Sequence, residues 1–165
     1  MKPIISHYLK RKKVDYFFKD ISKEVEILEV GGAEGWLRNY LKTDGWHKYT
    51  SLDITPPADY VGDILEWRSL GMKPKSFDVI VAFEVVEHVN CFQACYDLLR
   101  DGGKMMITTP VPRMDWALKM LEFVHLNQRR TSEHNNLVDL RDVQCFAKKN
   151  IKNMAGLSQW AVFVK

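Results

Sequence analysis

Residues 77–83, Phe-Asp-Val-Ile-Val-Ala-Phe, are apolar at almost every position over the length of one strand. A strand with one wet face alternates apolar and polar residues, so a near-continuous run has both faces covered and belongs in mid-sheet, between helices. The flanking sequence supplies the rest of such a sheet. Residues 25–30 form a short β-rich run halted by Gly31-Gly32-Ala33-Glu34-Gly35; residues 48–53 form a second, closed by Thr55-Pro56-Pro57; and Asp59-Tyr60-Val61 is a weak third. Residues 104–109 make a fifth strand stopped by Pro110, and 151–154 and 160–164 finish the series. Between them, helical spacing predicts helices over 36–41, over 91–100 with a C-terminal signal at Asp101-Gly102-Gly103, and over 114–126. A last helix is predicted over 140–148, capped by Asp139 with Asp142 three residues on. Strands alternating with helices imply right-handed βαβ units, hence an α/β fold with a doubly wound, mostly parallel sheet and helices on both faces. The last strand is expected to run antiparallel, because only Gly156-Leu157-Ser158 separates it from its predecessor.

A chain of 165 residues suits a single domain with one sizeable core. Its 46% hydrophobic and 27% charged residues exclude disordered, collagen-like and coiled-coil classes. No run reaches the ~18 apolar residues of a membrane span, and the N-terminal stretch has no signal-type apolar core, so a cytoplasmic location is expected. Lys and Arg number 24 against 21 Asp and Glu, and a net charge of +3 is too small to announce a nucleic-acid partner. Residues 1–23 nevertheless hold seven Lys/Arg against two Asp. The expected reading is an amphipathic helix with Lys10-Arg11-Lys12-Lys13 on its solvated face and Tyr8, Leu9, Tyr16 and Phe17 opposite; the alternative is peripheral contact of Lys10 to Lys13 with phosphate or lipid headgroups. Cys91, Cys95 and Cys145 show no CxxC spacing and the five histidines are scattered, so buried reduced thiols and no metal site are expected.

In open α/β sheets, ligands bind beyond the carboxyl ends of the strands, where the first strand hands over to the glycine loop. A dinucleotide fingerprint read from Gly31 finds Ala33 and Trp36 in its second and third glycine places, and a Trp there would push the helix off the sheet. The frame that fits has period two: Glu29-x-Gly31-x-Ala33-x-Gly35.

That frame, E-x-G-x-G-x-G with Ala33 for one glycine, resembles motif I of the class I S-adenosylmethionine-dependent methyltransferases, whose fold is Rossmann-like. Other elements follow in order. Asp53, 24 positions after Glu29, resembles the family's acidic residue that accepts both ribose hydroxyls, next to Ile54. Gly62-Asp63-Ile64 resembles the element that meets the adenine amino group and ring. The stretch from Phe77 through Phe83-Glu84-Val85-Val86-Glu87-His88-Val89 is similar to the fourth-strand signature of the branch that includes the ubiquinone and menaquinone biosynthesis enzymes. Leu98-Leu99-Arg100-Asp101-Gly102-Gly103-Lys104 resembles that branch's helix-to-strand turn, Thr108-Thr109-Pro110 its fifth-strand end, and His134-Asn135-Asn136-Leu137 a stretch before its last helix. The resemblance covers residues 25–165. It implies a single domain made of a basic N-terminal helix (1–23), a cofactor-binding half (25–110) and a substrate-side half (111–165). The implied cofactor is S-adenosylmethionine, with S-adenosylhomocysteine as product. The implied cofactor residues are Glu29, Gly31, Gly32, Ala33, Gly35, Asp53, Ile54, Asp63, Ile64, Phe83, Glu84, Val85 and His88.

In such a site the loop's N–H groups and the helix N-terminus receive the methionine carboxylate, while Glu29 supplies an anion for the ammonium or orders the loop. Ala33 fits if its φ is ordinary and narrows the loop if it is left-handed. Methyl transfer is an in-line displacement at an activated carbon, so positioning dominates and no base is obligatory. If one is used, His88, His125 and His134 are the candidates, and each has a packing alternative; Arg113, Arg129 and Arg130 could hold an acidic acceptor or be surface. After the fourth strand the chain has Glu84-Val85-Val86-Glu87 in place of the [DN]-P-P-[YF] of amino-methylating nucleobase enzymes, and it lacks a Pro-Cys pair. The expected acceptor is therefore an O, N or C nucleophile of a small molecule, lipid or glycan, free or carrier-bound, ahead of a protein. A short cap, residues 114–127, suggests an open site serving a bulky acceptor or one completed by a homodimer or other partner. The competing readings are a catalytically silent cofactor-binding module and a nicotinamide-dependent reductase; the glycine frame disfavours the reductase.

Overall fold

The computed structural model describes residues 4–111, 138–154 and 156–165, with backbone only at 4–7 and 148. The expected helix over 114–126 and residues Arg113, His125, Arg129, Arg130, His134, Asn135, Asn136 and Leu137 lie outside the described residues. In chain order the elements are α1 (Ile4–Phe18), β1 (Ile27–Val30), α2 (Trp36–Thr43), β2 (Tyr49–Asp53), β3 (Tyr60–Val61), β4 (Phe77–Phe83), α3 (Phe92–Leu98), β5 (Leu99–Pro110), β6 (Lys148–Met154) and β7 (Ser158–Val164).

The strands form one sheet in the order β3-β2-β1-β4-β5-β7-β6. β1 to β5 are mutually parallel, and β7 lies antiparallel between β5 and β6. The apolar run Phe77–Phe83 occupies the centre of the sheet, and its alternation explains the two layers. Val79 and Val81 pack with Ile27 and Met106 against Val14, Phe17 and Phe18 of α1 and Leu37 and Leu41 of α2. Ile80 and Ala82 pack with Leu28, Val30 and Ile107 against Phe92, Cys95 and Leu98 of α3. Each large side chain buried this way contributes roughly 1.5–3 kcal/mol. Cys91 and Cys95 are buried free thiols, and Cys145 is half-buried. Among the described residues no helix is long and apolar enough to cross a membrane, and no cluster of three His, Cys, Asp or Glu is arranged to hold a metal.

Three local expectations are corrected. Tyr8 and Leu9 are exposed, at 55% and 47%, whereas the inward face of α1 carries Val14, Phe17 and Phe18. Spacings of three and four from those residues bring Lys10 and Lys13 onto the same face, so part of the basic cluster faces the sheet and not the solvent. The helix expected over 91–100 ends at Leu98, because Leu99 turns extended (φ −71°, ψ 141°) to pair with Phe77. Gly102, at φ +79°, therefore sits not in a helix cap but in an irregularity of β5, where the register with β4 shifts between Phe77 and Val79. β5 does end at Pro110, as the sequence predicts: Pro110 is its last residue and pairs with Ser158 of β7, beyond the last pairing with β4 at Thr108, so its missing N–H removes no bond to that neighbour. Residues 140–148 make a single 3-10 turn, Leu140–Asp142, with Asp139 Oδ1 accepting from the Arg141 N–H. Leu140, Val143 and Phe146 are buried against the sheet, and Lys148 already begins the pairing of β6 with Val164, so strand pairing overrides local helix preference.

Candidate functional site

The carboxyl ends of β1, β2, β4 and β5 meet at one edge of the sheet, and the residues singled out from the sequence collect there. Strand β1 delivers Gly31 at φ +79°, and its N–H donates to Leu52 O at 2.8 Å, which ties the loop to β2. A Cβ at Gly31 would stand 2.6 Å from Val85 Cγ2, so conformation and space both demand glycine. At Gly32 a Cβ would meet Glu29 Oε2 and Ser51 Cβ, each at 3.0 Å. Ala33 is not among the positive-φ residues, so the alanine leaves the loop unstrained, and its N–H donates to Asp53 Oδ2 at 3.0 Å. Gly35 opens α2 at φ +64° with free space around it.

Glu29 lies beneath this loop. It is only 4% exposed, accepts from the Tyr49 hydroxyl, and has its carboxyl pushed up to about 8, chiefly by burial. At neutral pH it is mostly protonated, which suits a strut under Gly32 better than an anionic ligand. The strut is itself braced. Arg38 lies 5.2 Å over the Tyr49 ring, donates to Ser51 Oγ at 2.8 Å and pairs with Asp59.

Asp53 ends β2 half-buried. Its Oδ1 accepts from the Thr55 N–H at 2.9 Å and the Thr55 hydroxyl at 3.0 Å, and its Oδ2 from Ala33. An ionised carboxylate offers about four acceptor sites. Beside it Ile54 stands 75% exposed. Asp63 is exposed and caps the 3-10 turn Ile64–Glu66 through the Leu65 N–H at 2.9 Å. The sequence pairing of Asp63 with Ile64 is corrected here: Ile64 is 2% exposed and belongs to the core, whereas Leu65 is 52% exposed.

From β4, half-buried Phe83 stacks on Trp36 at 6.3 Å, tilted by 17°. Trp36, the first residue of α2, thus packs on the last residue of β4. Glu84 follows at φ +57°, a left-handed conformation that costs a non-glycine residue roughly 1–3 kcal/mol and is concentrated at functional sites. Its Oε1 accepts from Lys13 Nζ at 2.8 Å and from the Thr108 hydroxyl at 2.7 Å, and Lys13 also donates to Thr108 Oγ1 at 3.0 Å. Glu87 is buried at 1% exposure and accepts from the Thr109 hydroxyl at 3.0 Å; burial and then the charge of Glu84 push its carboxyl up to about 7. His88 is exposed one turn beyond Val85. Lys10 reaches over Trp36 at 5.2 Å and pairs with Glu34 at 3.2 Å.

Sequence reading missed Lys13, Thr108, Tyr49, Trp36 and Leu65. The signal for Lys13 was its spacing of four from Phe17; for Leu65 there was none, since either of two adjacent apolar residues could have turned inward.

The family profile described as "Methyltransferase domain" matches residues 5–150. A stretch of 46 residues is 47% identical to the rat protein "Ubiquinone biosynthesis O-methyltransferase, mitochondrial", covering 26% of this chain and only 13% of the length of that relative. Among solved structures, a SAM-dependent methyltransferase from Archaeoglobus fulgidus superposes with a TM-score of 0.70 at 12% identity, over 96% of this chain and 94% of that one. Phosphoethanolamine N-methyltransferase 2 from Haemonchus contortus, in complex with S-adenosyl-L-methionine, gives 0.69 at 12% identity, over 96% of this chain and 52% of that one. At these identities the structural likeness speaks for the fold.

Proposed function

The chain belongs to the methyltransferase domain family, and from that premise we propose that it binds S-adenosylmethionine at the carboxyl edge of β1 and β2 and transfers its methyl group to a non-nucleobase acceptor. The observation that carries this reading is the docking of the Gly31 to Gly35 loop onto Asp53 through the Ala33 N–H, with exposed Ile54 alongside. The residues present fit the cofactor. The loop leaves the N-terminus of α2 open, Asp53 retains about one acceptor site, enough for one ribose hydroxyl with the second in reach only if a Thr55 bond gives way, and Ile54 and Leu65 offer apolar surface for a base. Glu29 is assigned the strut, and the methionine ammonium is left to polar groups of the loop. When bound, the cofactor supplies an electrophilic methyl on a sulfonium.

The chain's own residues then have to align a nucleophile with that methyl and keep water out, a form of catalysis by positioning that requires no dedicated base. Phe83 and Trp36 form an aromatic wall and Glu84 faces the junction from β4. The proposed organisation assigns residues 25–110 to the cofactor and 111–165 to the acceptor. The acceptor class proposed is a small molecule, lipid or glycan with an O, N or C nucleophile, in keeping with the partial likeness to a ubiquinone biosynthesis O-methyltransferase. The ordinary φ of Ala33 lends no support to a silent binding module.

Calorimetric titration with S-adenosylmethionine, S-adenosylhomocysteine and NADH tests the reading. Both adenosyl ligands should bind in the micromolar range and NADH should not. Asp53→Ala should weaken binding by about 10- to 100-fold, since charge-assisted hydrogen bonds contribute ~1.5–3 kcal/mol. No binding of either adenosyl ligand to the wild type would overturn it.

A further inference from the structure

The sequence assigns the basic stretch of α1 to solvent, but Lys13 points into the sheet edge and its side chain is only 16% exposed. It closes a triangle with Glu84 Oε1 (2.8 Å) and Thr108 Oγ1 (3.0 Å), completed by the Thr108–Glu84 bond of 2.7 Å, and its ammonium lies 5.3 Å over the Phe83 ring. Glu84 is the residue at φ +57°, immediately after β4, and its N–H donates to Thr108 O at 2.8 Å. The register of β4 with β1 (Val30 opposite Ala82) brings the carboxyl ends of the two strands together, and a Cβ at Gly31 would stand 2.6 Å from Val85 Cγ2, next in the chain to Glu84. A strained residue persists only when its surroundings over-determine it. Among the described residues the restraints include a backbone bond from β5 and a side-chain clamp from α1.

We propose that Lys13 is a positioning residue of the methyl-transfer site. It holds the Glu84 carboxylate at the junction between the glycine loop and the acceptor side and balances its charge there, so that α1 is a wall of the site and not a surface anchor. This inference rests on the S-adenosylmethionine reading of the loop. A carboxylate alone beside that junction would favour a cationic ligand over a neutral one, and an ammonium alone would do the reverse. With both present, each offsets the charge of the other, so removing either shifts the preference of the junction from its wild-type value.

The experiment compares S-adenosylmethionine, which carries the sulfonium charge, with S-adenosylhomocysteine, which lacks it, by calorimetry on purified full-length wild type, Lys13→Met, Lys13→Arg and Glu84→Gln, with thermal melting of each. Lys13→Met should shift the ratio of the two dissociation constants about three- to tenfold toward the sulfonium ligand, Glu84→Gln should shift it the opposite way by a similar factor, and Lys13→Arg should restore the wild-type ratio. A merely structural lysine would lower the melting temperature and weaken both ligands together. Ratios within twofold of wild type in both Lys13→Met and Glu84→Gln overturn the proposal. Should Lys13→Met fail to fold, Glu84→Gln and Lys13→Arg decide it by the same ratio. Failure of the wild type to bind S-adenosylhomocysteine instead overturns the cofactor reading beneath it, an outcome read before any variant is made.

Discussion

Replacing Glu29 by Gln should stabilise the protein increasingly as pH rises from 5 to 8. The carboxyl is buried, receives the Tyr49 hydroxyl, and titrates at about 8 where the ordinary value is 4.5. The native state therefore holds a proton that the unfolded chain releases near 4.5. Its contribution is fully present below pH 4.5, is lost progressively as pH rises, and is gone once pH passes about 8. At ~1.36 kcal/mol per pH unit, the interval from 4.5 to about 8 sets a ceiling of about 5 kcal/mol. Relaxation and water penetration around a newly ionised group reduce this, and about 2 kcal/mol is the expected size.

Gln keeps a neutral acceptor for Tyr49 and removes the titration. Urea unfolding of both proteins at pH 5, 6, 7 and 8 isolates this group, because Glu87 and every other titrating carboxyl is common to both. The difference in stability, variant minus wild type, should climb by about 2 kcal/mol over that range. A flat difference would refute the reasoning, since it would mean that Glu29 is already ionised in the native protein at pH 5. Binding adds a second check. A strut replaced by its neutral analogue should cost S-adenosylhomocysteine only a few-fold in affinity at pH 7, whereas a collapse of binding at every pH would return Glu29 to the role of an anionic ligand.

The two left-handed glycines of the loop separate space from conformation. Gly31→Ala meets Val85 Cγ2 at 2.6 Å as well as φ +79° and should cost about 2–4 kcal/mol, whereas Gly35→Ala, in open space at φ +64°, should cost only about 1 kcal/mol, both read by thermal or urea melting. The apolar pair of the 3-10 turn separates core from site. Ile64→Ala should destabilise by about 2–5 kcal/mol, while Leu65→Ala should change stability by less than about 0.5 kcal/mol yet weaken S-adenosylhomocysteine several-fold in calorimetry. Equal effects on stability would refute the corrected placement.

The sheet was legible because its strands bury specific faces. Phe77–Phe83 could only be central, and the Gly31 to Gly35 stop after Glu29-Val30 could only be a tight turn at a strand's carboxyl end. Errors fell where tertiary pairing outweighed local preference. Leu140, Val143 and Phe146 carry a spacing that a helix also satisfies, but the antiparallel partner in β7 claims Lys148 to Asn150, and the segment is drawn out after one turn. Likewise Asp101-Gly102-Gly103 has the composition of a helix cap, and only the parallel neighbour β4 turns it into an irregularity of a strand.

The same distinction governs the site. Glycine positions and the acidic ends of β1 and β2 are set by backbone geometry, which leaves a mark on the sequence at fixed spacing. Which of four consecutive basic residues turns inward is set by the rotation of α1 about its axis, and that is fixed only when Val14, Phe17 and Phe18 dock on Val79, Val81 and Met106. Once they dock, the 3.6-residue period leaves Lys13 no outward course: it shares the face of Phe17, one turn nearer the strands' carboxyl ends, where Glu84 follows β4 and Thr108 makes the last pairing of β5 with β4. Bringing an ammonium to that depth without its two oxygen partners would leave a charge half-desolvated and unpaired. The packing that places Lys13 and the acid that receives it thus have to be present together, which is why composition alone put all four basic residues, Lys13 among them, on the solvated face of the helix.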